Sequence, residues 1–222
     1  LMTNYIEIIN DELSNLSSNH DDIKTSEIRK VSSKTFRLVK GQAISDIFDL
    51  CDILLNKKER VFTLIAFDWA FKVRAQYDND TFVRFEYWLF SYINDWWDCD
   101  DFCTHAFGYL LSQKTDLIEK IIPWASSKNF AVRRAIPVIL ILSSKRGLLD
   151  NTLALKIVDL IKDDPHYLVQ KGYGWLLKTI SEKEPEIVKN YLTVNVKLIP
   201  RVAFRYAVGK LNNHDRQKLM AL

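Results

Sequence analysis

Glycine and proline are scarce in this 222-residue chain, with six and five copies, too few for a fold rich in tight turns. Alternating Val/Thr patterns are sparse while Leu, Ile and Lys abound, so the composition points to helices. No stretch offers a persuasive strand or a Gly-rich phosphate loop, which sets Rossmann and P-loop chemistry aside. The three cysteines, Cys51, Cys99 and Cys103, form neither an even disulfide set nor a pair of CxxC clips, and a reducing, cytoplasmic home is expected. Residues 3–16 lack an uninterrupted apolar core because Glu7, Asp11 and Glu12 break it, so no secretory signal is expected. The longest apolar run, 135–142, contains Pro137 and is far too short to span a bilayer. Cys99, Cys103 and His105 lack the fourth ligand and the spacing of a tetrahedral zinc site; buried or partly buried thiols are expected instead. No Ser or Cys nucleophile constellation can be assembled at recognisable spacing. Leu1 ahead of Met2 reads as a remnant of expression.

What the chain does contain is apolar residues at helical spacing. Tyr5, Ile8, Ile9, Leu13 and Leu16 make a first face, and a second helix is expected over 25–39. Ile44, Ile47, Phe48, Cys51, Leu54 and Leu55 give the next face, followed by one through Phe62, Ile65, Trp69 and Val73 and one through Phe82, Phe85, Trp88 and Tyr92. Further helices are expected over 98–111, 117–124, 129–143, 153–161, 166–181, 185–191 and 199–210. Hydrophobic residues make up 48% of the chain and charged ones 27%, which excludes extensive disorder. The expected organisation is a single domain over 1–222.

A net charge of +3 is weak by itself, but the positive charge is concentrated. Between Lys128 and Arg146 stand five basic residues and no acid, and the same holds from Lys189 to Lys210. When the second helix of each successive pair is aligned on its first charged residue, the anchors are Arg60, Asp101, Arg134, Lys171 and Arg205. They lie 41, 33, 37 and 34 residues apart, close to the length of a HEAT-type helical pair. Four residues ahead of three anchors stands an aromatic: Trp97, Phe130 and Tyr167, on the same helix face. Second helices line the concave side of an α-solenoid, so a ladder of aromatic and charged residues is expected along an inner groove.

Only Asp101 puts an acid in that ladder. It ends the densest stretch of the chain, Asn94 to Asp101, where two tryptophans and four carboxylates share eight residues. A row of Arg and Lys suits a phosphate backbone, because each contact releases counterions without reading sequence. A carboxylate weakens such binding and needs a separate purpose. One is to face a positive charge that develops in a reaction, since carboxylates stabilise oxocarbenium-like sugar cations or take a proton from attacking water. Trp97 and Trp175 can press against a sugar or a cation. The plainer roles are helix-end carboxylates and core aromatics. The first suits Asp98, with Asp95 and Asp100 left to capping or solvent, and the second suits Trp69, Trp88, Trp96 and Trp124. His20, His166 and His214 are expected in capping or surface roles.

At these positions the chain resembles the HEAT-like-repeat DNA alkylation repair enzyme family, the AlkD-like DNA glycosylases. The family's Trp-Trp-Asp-x-x-Asp is matched by Trp96, Trp97, Asp98 and Asp101. Its Arg-Arg at the start of an inner helix is similar to Arg133 and Arg134, and its Gly-Trp-x-Leu-Arg to Gly174, Trp175, Leu177 and Lys178. A proline followed by a late inner helix resembles Pro200 and Arg205. The similarity covers roughly residues 58–211. It departs at Lys178, a lysine where the family has arginine, and at 21–29, where only an apolar-Arg end remains.

The resemblance implies an all-α, right-handed α-solenoid of about six HEAT-like helical pairs with a basic concave cleft holding duplex DNA. It implies monofunctional excision of N3- and N7-alkylated purines, with Asp101 supporting the sugar cation or the attacking water. Trp97 and Trp175 would contact the deoxyribose and Arg134 would belong to the same site. Arg133, Lys171, Lys178 and Arg205 are the DNA-binding candidates. No metal or cofactor and no membrane are implied, and a monomer is the expected clamp around DNA. The alternative is a HEAT-like DNA-binding or protein-interaction scaffold that has lost base excision.

Overall fold

The computed structural model describes residues 2–222, so Leu1 lies outside the described residues. Among them the chain is helical throughout, with no strand, and it divides into two compact units that meet in sequence at Tyr92 and Ile93. None of the described helices is long and apolar enough to cross a membrane.

The first unit contains α1 (Met2–Ser14), α2 (Thr25–Phe36), α3 (Ile44–Leu55), α4 (Arg60–Lys72) and α5 (Asp80–Tyr92). Helix α4 is its centre: α2 and α3 both pack on it, and α1 packs on α2. The reason is composition, since Val61, Phe62, Leu64, Ile65, Ala66, Phe67, Trp69 and Ala70 are all buried and a helix apolar on most sides must be covered on most sides. Phe48, Phe85 and Trp88 form a ring cluster, with Phe48 5.3 Å from Trp88 and 5.5 Å from Phe85. Arg60, the first anchor, is held locally. It donates to the Ile23 carbonyl at 3.0 Å and to Thr25 Oγ1 at 2.6 Å.

The second unit contains α6 (Trp96–Thr104), α7 (Ala106–Gln113), a 3-10 segment (Thr115–Ser126), α8 (Phe130–Ile139), α9 (Ile141–Arg146), α10 (Asn151–Asp159), α11 (Tyr167–Ser181), α12 (Pro185–Val194), α13 (Arg201–Ala207) and α14 (Asn213–Met220). Four of these pack in series, α6 on α8, α8 on α11, and α11 on α13. The last seam is tight because of Gly174. A Cβ there would lie 2.8 Å from the Ala203 carbonyl oxygen and 2.7 Å from Tyr206 Cβ, so only glycine lets the helices approach this closely.

Several boundaries differ from the sequence expectation. The helix expected over 98–111 is two helices, broken at His105 (φ −116°, ψ −92°). The helix expected over 129–143 is interrupted at Leu140, shortly after Pro137, whose ring removes a donor and crowds the preceding turn. Residues 117–124 lie in 3-10 rather than α geometry, with Pro123 inside the segment. Helix α14 carries too many polar residues to show an apolar period and was not expected.

Candidate functional site

The acidic stretch begins as a helix start. Asp95 is the N-cap of α6, its Oδ1 accepting from Trp96 N at 2.7 Å. Asp98, three residues on, reaches back to complete a capping box. It accepts from the backbone N–H groups of Asn94 and Asp95, each at 3.0 Å, and of Cys99 at 2.7 Å. Burial pushes the Asp98 carboxyl up to about 6 against the downward pull of these three donors. Because that value exceeds the ordinary 3.8, the folded chain holds the proton more tightly than the unfolded one. This contribution to stability is therefore present at low pH and lost as pH rises from about 4 to about 6. Urea unfolding at pH 4, 5 and 6 is expected to show the stability of the wild type falling relative to that of Asp98→Asn across this range. A difference that stays flat or rises would contradict the assignment.

The rest of the stretch contains two copies of one spacing. Trp96 and Asp100 are one helical turn apart, as are Trp97 and Asp101, and each pair shares a face of α6. Trp96, expected in the core, is instead 50% exposed. As the first residue of α6 it has no preceding turn to cover it. Asp100, expected to have only a capping or solvent role, is the ion-pair partner of Arg134. Asp101 is shielded, with a side-chain exposure of 13%, and His105 Nδ1 stands 3.8 Å from its Oδ1. The same nitrogen donates to the Asp101 carbonyl oxygen at 2.9 Å, which places the proton on Nδ1. Cys99 and Cys103 are fully buried thiols.

Both arginines of α8 are engaged. Arg134 is buried, with Nε and Nη2 donating to the two oxygens of Asp100 at 2.9 and 2.8 Å and Nη1 donating to the Leu168 carbonyl. Burial works against its charge, but the hydrogen bonds and charge of Asp100 outweigh it and raise the Arg134 pKa above its ordinary value. Arg133 forks onto Asp164 at 2.5 and 3.2 Å and donates to the carbonyls of Ser127 and Lys128. Asp164 also accepts from His166 N, so Arg133 joins the entry of α8 to the entry of α11.

Along α11 the positions of Tyr167, Lys171, Trp175 and Lys178 recur at i, i+4, i+8 and i+11 and form one stripe. Tyr167 is exposed, Trp175 is partly so, and Lys171 Nζ sits 5.0 Å from the Tyr167 ring centroid. Lys178 Nζ lies 6.0 Å from the ring of Tyr206 on α13, where Arg205 is exposed. His166 caps α11 by accepting from Leu168 N at 3.3 Å, as its expected role requires, and stacks on Phe130 at 3.9 Å with planes 9° apart. The aromatic and charged members of each rung stand in one helix: Trp97 with Asp101 in α6, Phe130 with Arg134 in α8, and Tyr167 with Lys171 in α11.

The second unit therefore carries, on four helices packed in series, a shielded carboxylate with an indole one turn before it, a buried arginine and a lysine-aromatic stripe. Such a set can stabilise positive charge at one point and contact phosphates around it. No group of three or more His, Cys, Asp or Glu among the described residues is arranged to hold a metal ion. Asp100, Asp164 and the exposed Trp96 are the members that sequence reasoning missed.

Among solved structures, a predicted DNA alkylation repair enzyme from Enterococcus faecalis is similar, with a TM-score of 0.76 at 18% identity over 86% of this chain and 87% of that one. A protein of Streptococcus mutans UA159 is similar as well, with a TM-score of 0.60 at 19% identity, over 85% of this chain and 99% of the other. At such identities the likeness establishes the fold. No curated protein matches this chain. Residues 22–211 match the DNA alkylation repair enzyme family, a span that includes every candidate residue above, and the chain belongs to that family.

Proposed function

We propose that the protein is a DNA glycosylase that excises positively charged N3- and N7-alkylated purines from duplex DNA. The observation that carries this reading is the pairing of Trp97 with a shielded Asp101 one turn later on α6, in the same packed row as the lysine-aromatic stripe of α11. Helices α6, α8, α11 and α13 are read as inner helices of a right-handed HEAT-like α-solenoid whose basic concave cleft holds the duplex. The protein is taken to act there as a monomer in the reducing interior of the cell.

An alkylated purine already carries a positive charge, so it leaves without a general acid. As its bond to C1′ breaks, the electron pair goes to the base and the cation passes to the sugar. Asp101 stabilises that cation or takes a proton from the water that adds to C1′, and the products are the free base and an abasic site. Trp97 and Trp175 press on the deoxyribose. Lys171, Lys178 and Arg205 meet phosphates. Arg133 adds less, because Asp164 compensates its charge. Lys178 acts there as a point charge, without the bidentate fork of an arginine.

The second reading is a HEAT-like DNA-binding or protein-interaction scaffold without excision. Its protein-interaction form is favoured by the ion pairs of Arg133 and Arg134 with carboxylates, which leave fewer free cations for phosphate. Incubation with alkylated duplex, with chromatography of the released bases, separates the readings. Release of methylated purines supports the glycosylase, and binding without release supports the DNA-binding module. A protein scaffold would show no steep loss of duplex affinity with salt, whereas several phosphate contacts give one.

A further inference from the structure

We propose that Asp100 is a positioning residue of this site. By gripping the Arg134 guanidinium as a fork it fixes α6, which carries Trp97 and Asp101, against α11, which carries Trp175. The inference rests on the glycosylase reading for its kinetic consequence, but not for its geometry. Arg134 is only 5% exposed, so its guanidinium is turned into the helix packing and is not presented as a phosphate contact. From its place on α8 it makes three hydrogen bonds to two neighbouring helices, two to Asp100 on α6 at 2.9 and 2.8 Å and one to the Leu168 carbonyl in the first turn of α11. A fork on a carboxylate sets orientation as well as distance, which a point charge cannot do.

The surroundings of Arg134 leave it little choice of path. At Gly172 on α11 a Cβ would stand 3.4 Å from Arg134 Cγ and 3.5 Å from Nη1, so the arm crosses α11 where that helix has no side chain. The same Cβ would meet Pro137 Cγ at 3.3 Å, so the arginine lies in a slot bounded by α8 and α11. Asp100 closes the third side. Asp101, one residue on, is rotated by about 100° around α6 and stands in the family pattern as the reacting carboxylate. The two adjacent acids thus divide the work, one holding the scaffold and the other facing the substrate.

Misplacing a reacting group by about 1 Å lowers a rate by roughly 100-fold, which sets the scale of the test. Asp100→Asn and Arg134→Gln are each expected to lower single-turnover release of methylated purine from alkylated duplex by roughly 10- to 100-fold. Duplex affinity should stay within about twofold, because neither group touches phosphate. The double variant should be no slower than the slower single variant, as members of one unit behave. Arg134→Lys, which keeps the charge and loses the fork, should not restore the rate. In 15N-labelled protein the Trp97 and Trp175 indole resonances should both move in Asp100→Asn while those of Trp69 and Trp88 stay in place.

Wild-type rates in Asp100→Asn, restoration by Arg134→Lys, or a fall in duplex affinity matching the fall in rate would each overturn the proposal. If the wild-type protein itself releases no base, the glycosylase reading fails, and the indole resonances decide the clamp alone: an unmoved Trp175 overturns it. Should Asp100→Asn fail to fold, Asp100→Glu replaces it, keeping the charge while shifting the oxygens by one methylene. It is expected to move the same two indoles and to lower the rate by about tenfold, and unchanged indoles and rate would overturn the clamp.

Discussion

Replacing Asp101 by Asn is expected to lower single-turnover excision of methylated purines by roughly 100- to 1000-fold, the usual cost of removing one electrostatic contact aimed at a developing charge. The substitution keeps the shape and removes the charge. On the glycosylase reading, what is lost is the stabilisation of a sugar cation that exists only on the way to the transition state, so the loss falls on the chemical step. Duplex affinity should be kept or slightly raised, because a negative charge near the phosphate backbone has gone. The shielding of Asp101, with its side chain 13% exposed, strengthens the effect, since water screens a charge less where it is sheltered. The comparison needs single-turnover kinetics beside an equilibrium binding curve. A variant with the wild-type rate would remove Asp101 from the reaction, and one that lost affinity and rate together would make it a binding or folding residue.

Gly108→Ala is expected to destabilise the fold by about 3 kcal/mol, at the upper end of ordinary overpacking. Across the break at His105 between α6 and α7, the Cys103 carbonyl oxygen lies 2.3 Å from where a Gly108 Cβ would sit. The Ile139 carbonyl oxygen lies 3.3 Å from the same point. Both obstacles are backbone, so relief requires moving α6 or α8 rather than rotating a side chain. For a chain of this size each kcal/mol shifts the midpoint by roughly 2–4 °C, which gives an expected fall of roughly 6–12 °C. Excision per folded molecule should fall as well, because the displaced helix carries Asp101. A thermal midpoint within about 2 °C of wild type would show that the α6–α7 break tolerates a methyl group.

The features legible in the sequence are those set within one helix. Trp97 with Asp101, Phe130 with Arg134 and Tyr167 with Lys171 are each four residues apart, and each pair stands in a single helix of the structure. The capping roles of Asp98 and His166 were legible for the same reason, because capping bonds join residues within a few positions of one another, Asp98 to Asn94 and Asp95 and His166 to Leu168. Long-range choices were not. Trp96, Trp97, Asp100 and Asp101 offer the same four-residue spacing twice, and only the packing of α6 on α8 selects Asp100 as the partner of Arg134.

Asp164 lies 31 residues from Arg133, and no local pattern connects them. The break at His105 has no proline to announce it, and its one trace is Gly108, a lone glycine within an apolar helical pattern. Trp96 was misplaced because an indole is usually buried, whereas the first residue of a helix can stand half in solvent. Toward the N-terminus, where the resemblance to the family was thinnest, Arg29 donates to the Leu64 carbonyl at 2.9 Å and faces Asp68 at 3.7 Å. Its charge is spent at least partly inside the first unit.

The most direct test of the glycosylase reading is to count abasic sites formed by the wild-type protein in a duplex carrying N7-methylguanine, with strand integrity followed in parallel. The expected result is one abasic site per lesion, appearance of free methylated base at the same rate, and an intact strand until it is cleaved by added alkali. Tight binding of the duplex with every lesion still in place would contradict the reading and leave the family fold here as a DNA-binding module.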